Sequence, residues 1–300
     1  KMAEIQTINI GSSANDGTGD TIRAGMDKVN DNFANFKIEG TNFTSSILIG
    51  HSTTGTLDAA TGNTGVGIAA LDAITTGDYN TAVGNLAGTA ITTGESNALV
   101  GPFAGFVLAG GSFNVAVGRS ALASEDGHGK NIAIGYSALN TLNAGDDGHN
   151  VAIGYNAGTA ISTAVKNTLV GSFAGDALTT GVYNVAVGYE ALSAEDGHGR
   201  NVAIGFRALK DQNAGASGYN TAVGHKAGED ISTGVKNTII GSDAGDALTT
   251  GDNNIIIGYD AAASAVGVDN TITMGDSNVN LLRIPGLGSS DGHVLTYSSS

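Results

Sequence analysis

One phrase, used over and over, constrains this chain more than any other feature. The frame Asn-x-x-[Val/Ile]-Gly-x-x-Ala begins at Asn63, Asn80, Asn97, Asn114, Asn131, Asn150, Asn167, Asn184, Asn201, Asn220, Asn237 and Asn254. The step is seventeen residues, except for steps of nineteen from Asn131 to Asn150 and from Asn201 to Asn220. A short fixed period of this kind means a stack of similar coils, each burying its apolar face against its neighbours. Worn copies flank the array. Ser46 stands in the Asn register ahead of Ile49 and Gly50, and Thr271 stands there ahead of Met274 and Gly275. Atypical end coils are expected, because they have a neighbour on one side only.

A longer period lies on top. Residues 121–131 return as 191–201 and residues 165–181 return as 235–251, both displaced by seventy residues. Four coils therefore form a block that occurs twice. The residue after the frame's Ala follows the same block, as Leu122, Leu139, Gly158, Gly175 and again Leu192, Leu209, Gly228, Gly245.

In an extended Asn-x-x-[Val/Ile]-Gly segment, alternate side chains point to opposite faces. The Val/Ile and the residue two before it share one face. The Asn, the small or aliphatic residue between them and the Gly share the other. Both faces are apolar or small, so burial on both sides is expected. Polar stretches with glycine (TTGDYN, TTGESN, TTGVYN, TTGDNN) read as turns. The predicted fold class is mostly β: a repetitive parallel β-roll, or β-solenoid, of about fourteen 17-residue coils. Each coil is expected to hold two short strands and two turns around a thin core. At about 4.8 Å per coil the array is roughly 65–70 Å long. So slender a roll needs other chains to cover its second face, and a closed homotrimer is expected.

Composition narrows the function classes. Glycine, at 47 residues, has no collagen period and is spaced like turns. With 13 basic and 28 acidic residues the net charge is −15, which argues against nucleic acid as a partner. There is no cysteine, so disulfides and thiolate metal sites are excluded. No apolar run reaches membrane-spanning length and no signal-peptide pattern opens the chain, so membrane insertion is not expected.

The N-terminal segment reads differently from the array. Residues 4–10 alternate as a short strand, 11–19 form a glycine-rich loop, and Asp20 can cap a helix from about Thr21 to Phe36. Its apolar residues Ile22, Met26, Val29, Phe33 and Phe36 make a heptad seam, too short to stand alone in water. Residues 8–36, with the NDGTGD loop and Asn30-Asp31-Asn32-Phe33, resemble the N-terminal segment of many tailed-bacteriophage fibre proteins. That resemblance implies a virion structural protein, attached through this end. The repeat itself resembles the head repeat of trimeric autotransporter adhesins of the YadA-like kind, a left-handed parallel β-roll, although those heads use shorter coils. The SSDGHVLTYSSS tail resembles linkers that precede distal domains of phage fibres.

Three parts are therefore expected: residues 1–40 for virion attachment and trimerisation, 41–277 for the roll, and 278–300 for a C-terminal strand and a linker leading to a distal domain. The expected function is that of a phage fibre in the virion, a rigid trimeric shaft serving host recognition and adhesion. Its expected partners are two further copies, other virion proteins through the N-terminal segment, and a host surface glycan or protein. The alternatives are an autotransporter adhesin head, or a tailspike that cuts polysaccharide.

Several residues invite a sharper reading. The Asn column reads as a hydrogen-bonded ladder rather than a binding row. Glu125-Asp126-Gly-His128, Asp147-Gly-His149, Glu195-Asp196-Gly-His198 and Asp291-Gly-His293 place carboxylates beside imidazoles, a combination that holds divalent metals. Asp-Gly is also an ordinary turn dipeptide that duplication would copy, and the turn is the favoured reading. Paired carboxylates across a cleft, as glycosidases need, are not foreseen. Tyr79, Phe113, Tyr183 and Tyr219 each precede a frame Asn and are the first glycan candidates, but serve equally as turn packing. No residue is assigned to catalysis, to a cofactor or to a metal, and no enzyme activity is expected.

Overall fold

The computed structural model describes residues 36–40, 43–49 and 59–279. Among them the only regular elements are strands, in one sheet. A hairpin opens it, β1 (Phe36–Gly40) pairing antiparallel with β2 (Phe43–Ile49). The two-residue β3 (Ala60–Thr61) lies beside β2. From β4 (Thr64–Val66) to β16 (Ile272–Met274) each turn of the chain contributes one three-residue strand, parallel to the last. The result is a parallel β-solenoid of about thirteen turns.

The register is that of the sequence frame. Ile47 faces Thr64, Thr64 faces Thr81, and the match continues to Ile255 beside Ile272. The worn copies at both ends are thus true members of the stack. Both nineteen-residue steps keep it as well, with Ile132 facing Val151 and Val202 facing Thr221. The two extra residues are absorbed outside the strands.

One expectation about the coil needs correction. Each coil holds one strand, not two; the rest is a chain of turns. Within the single chain the strands are buried on one face. The central residue, such as Ala82, Leu99 or Ala116, is fully buried, whereas its neighbours stand half-exposed. The predicted strand at 4–10, nearly all of the predicted helix and the tail from 280 lie outside the described residues. Phe36, placed at the end of that helix by its spacing, instead opens β1.

Two glycine columns show why the repeat is so strict. The frame Gly adopts φ near +140°, as at Gly135 and Gly205. A Cβ on Gly205 would lie 2.0 Å from the carbonyl oxygen of Gly224 in the next coil. Only glycine lets successive backbones come so close. The Leu/Gly alternation four residues later is volume matching. Leu122 and Leu192 enter the core where the strand centre is Ala116 or Ala186. Where the centre is Leu99, Gly105 makes room: a Cβ there would sit 3.0 Å from Leu99 Cδ1. Each coil therefore admits little more than one large aliphatic at this level, worth about 1.5–3 kcal/mol buried.

The Asn column is a ladder. Each frame Asn is essentially buried. Its Oδ1 accepts the backbone N–H of the next frame Asn, for example Asn80 on Asn63 at 2.9 Å and Asn184 on Asn167 at 2.8 Å. Its Nδ2 commonly donates to the carbonyl fourteen residues on, closing its own coil, as Asn80 does to Gly94 at 2.9 Å. A buried amide with its donor and acceptors used costs little and fixes register.

Candidate functional site

Two features outside the ladder stand out, a surface strip and a pair of loops. The strip consists of the outward residues of every strand. Its third-position column is Ile49, Val66, Val83, Val100, Val117, Ile134, Ile153, Val170, Val187, Ile204, Val223, Ile240, Ile257 and Met274. Its first-position column holds Thr, Ala, Val and Ile only. No charged side chain interrupts either column over the length of the sheet. Val83 and Ile257 are each 38% exposed. A strip this long and this apolar is not what a monomer ordinarily shows to water.

Rows of aromatics flank it in sequence. Tyr79, Phe113, Tyr183 and Tyr219 precede frame Asn residues in left-handed backbone and are well exposed. Lys166 and Arg200 lie over the Tyr183 ring at 5.4 and 5.7 Å, and Arg200 also lies over Tyr219 at 5.4 Å. Their rings thus help staple one coil to the next. A second row, just after the frame Gly, escaped the sequence reading. Tyr136 and Tyr155 stack at 5.2 Å, Phe173 bridges edgewise to Tyr189, and Tyr189, Phe206 and His225 stack in turn. These rings turn their faces largely to one another, which favours packing over a platform for sugars. Beside them a shallow hollow of about 290 Å³ is lined by Phe173, Asp176, Tyr189, Glu190, Ser193 and Lys210.

The loops are Glu125–His128 and Glu195–His198. Eleven residues after every frame Asn except Asn254 lies a core position, held by an aliphatic at Ile74, Ile91, Leu108, Leu142, Ile161, Leu178, Ile231 and Leu248 and by an amide at Gln212. Glu125 and Glu195 occupy this same column and are fully buried. Aligning the coils at their own period would have revealed two carboxylates in an aliphatic column. The sequence reading instead grouped these residues with turns. Glu125 Oε1 accepts the His128 N–H at 3.1 Å and Oε2 the Ala144 N–H at 3.3 Å. Glu195 Oε1 accepts the His198 N–H at 2.9 Å. Burial raises both carboxyl groups above their ordinary range, against these hydrogen bonds and the nearby imidazoles.

In each loop the Glu, Asp and His offer ligand atoms within 4.8 Å of one another. The Asp147-Gly-His149 phrase does not form such a set. Asp147 pairs instead with Lys130, which holds its carboxyl below the usual range, and His149 is exposed. Asp291 and His293 lie outside the described residues.

No protein-family model, no curated protein and no solved structure matches this chain. The functional reading therefore rests on the fold, on these features and on the resemblance of the N-terminal segment.

Proposed function

We propose that the chain is the shaft of a tailed-bacteriophage fibre, three copies joined side by side through the apolar strip. The observation that carries this reading is the strip itself, uncharged from Ile49 to Met274. Rigidity comes from the ladder, since every coil is tied to the next by backbone and asparagine hydrogen bonds. About thirteen steps of 4.8 Å make a rod on the order of 60 Å long, a spacer rather than a catalytic vessel. The N-terminal segment, by its resemblance to fibre proteins, docks on the virion, and the rod presents its loops or a distal part to the host surface.

Light scattering coupled to size exclusion tests the assembly. An elongated trimer is expected, and Val117→Lys combined with Val187→Lys should convert it to monomer, since like charges would repeat at every interface. A wild-type chain that stays monomeric at micromolar concentration defeats the reading.

A further inference from the structure

We propose that the loop Glu195–His198 is a divalent-metal site of the imidazole-accepting class, with Zn²⁺ as the probe of choice. The Glu195 and Asp196 carboxylates and His198 Nδ1 would be its ligands, leaving an outer position to water or an exogenous group. Imidazole with carboxylate selects such ions over Mg²⁺, which favours oxygen alone and keeps its waters.

Four observations point there. The three ligand atoms already lie within 4.8 Å of one another. His198 Nδ1 stands 3.5 Å from Glu195 Oε1, too far for a good hydrogen bond. It is close to the ~3.4 Å edge of a tetrahedron built on ~2.1 Å metal–ligand bonds. Next, Glu195 is fully buried, yet its Oε2 has no hydrogen-bond partner, and neither has the buried Nδ1 of His198. A carboxylate in an aliphatic column with an idle oxygen is costly unless a cation answers it. Finally, the site has an entrance. Asp196 is exposed, and Gly197 leaves the loop's crook without a side chain.

The first copy of the loop is the internal control. There Glu125 spends Oε2 on the Ala144 N–H, so fewer carboxylate lone pairs are free for an ion. The loop at 195 is accordingly the stronger site.

The test is a calorimetric titration of the intact chain with ZnCl2, with MgCl2 as comparison and the thermal midpoint followed in parallel. Expected is one saturable tight site per chain and a Zn²⁺-dependent rise in midpoint that Mg²⁺ does not reproduce. His198→Gln, at a partly exposed position, should weaken that site by more than about tenfold, while His128→Gln leaves it in place. Asp196→Asn, on the surface, provides a second ligand variant that does not disturb the core. Absence of heat and of any midpoint shift at millimolar Zn²⁺ overturns the proposal. So does binding that survives both His198→Gln and Asp196→Asn, or that His128→Gln removes equally.

Discussion

The two seventy-residue copies share a backbone course and most of a sequence, yet they resolve the same buried-polar problem differently. In the first, Glu125 has both oxygens occupied, Asn131 Nδ2 donates to Gly129, and the core position of the wide coil is Leu142. In the second, that core position is Gln212. Its Oε1 accepts from Asn220 at 2.7 Å, but Gln212 Nε2, Asn201 Nδ2 and Glu195 Oε2 are left without partners. One substitution of an aliphatic by an amide, beside a loop already carrying a buried acid, separates a polar set whose idle atom is His128 Nδ1 from one in which Glu195 Oε2, His198 Nδ1, Asn201 Nδ2 and Gln212 Nε2 are all idle. Duplication copied the geometry, and single residues then decided its cost.

The largest effect should not distinguish the copies at all. Gly135→Ala and Gly205→Ala each drive a Cβ against the backbone of the following coil, at 2.2 and 2.0 Å from a carbonyl oxygen. Each should destabilise by more than about 3 kcal/mol in chemical unfolding, combining strained φ with steric overlap. Unequal losses would mean that the copies differ in more than side chains.

The comparison sharpens at the core of the wide coils. Leu142→Gln should cost about 2–3 kcal/mol, through lost apolar burial and an unpaired amide group. The reverse change, Gln212→Leu, should stabilise by about 1 kcal/mol, because removing a half-satisfied amide outweighs its one bond to Asn220. A loss of stability in Gln212→Leu would show that its lone hydrogen bond is worth more than aliphatic packing.

A pH series probes the two acids. Both carboxyl groups are raised in the folded chain above an ordinary value near 4.5. A raised folded value means that their contribution to stability is fully present below about pH 4.5 and is lost as pH rises through the folded value. Glu195→Gln should therefore flatten the fall in stability between pH 4.5 and neutrality, relative to wild type. Glu125→Gln should give a smaller net benefit at pH 7, because it also weakens the hold on two N–H groups rather than one. Identical pH profiles for the two variants would erase the distinction drawn between the loops.

The smallest effect lies at the surface. Lys130 pairs with Asp147 in the first copy, where Arg200 donates to Ser217 Oγ at 2.9 Å in the second. Both are exposed, so Lys130→Ala should leave the unfolding midpoint essentially unmoved.

Much of this was legible in the sequence. The period gave the stack and the strand register, and it placed the Asn ladder, because each depends on residues repeating at one spacing. Thr271 was recognisable as a degenerate Asn by register alone. The number of strands per coil was not legible: the polar half of each coil is a run of turns whose left-handed residues include Tyr, Phe, Lys and Arg, types with no preference for that backbone. Nor was the burial of Glu125 and Glu195, since Asp-Gly-His reads locally as surface and only the column of aliphatics around them reveals the core. The second aromatic row was hidden for a related reason. Phe173 joins it from one position later than Tyr155 and Tyr189, so no single column holds it.

The ladder also gives the molecule a direction. Every frame Asn hands its carbonyl oxygen to the coil that follows, so a finished coil ends in an acceptor waiting for the next N–H. A chain emerging from its N-terminus thus always meets a template already laid, and each coil copies its alignment from its predecessor. Thr271 ends the copying. Its N–H and its Oγ1 both turn back to Asn254, at 3.0 and 2.7 Å, and it has no side-chain amide to pass forward. It is the full stop of a sentence that is otherwise free to grow or shrink by whole words.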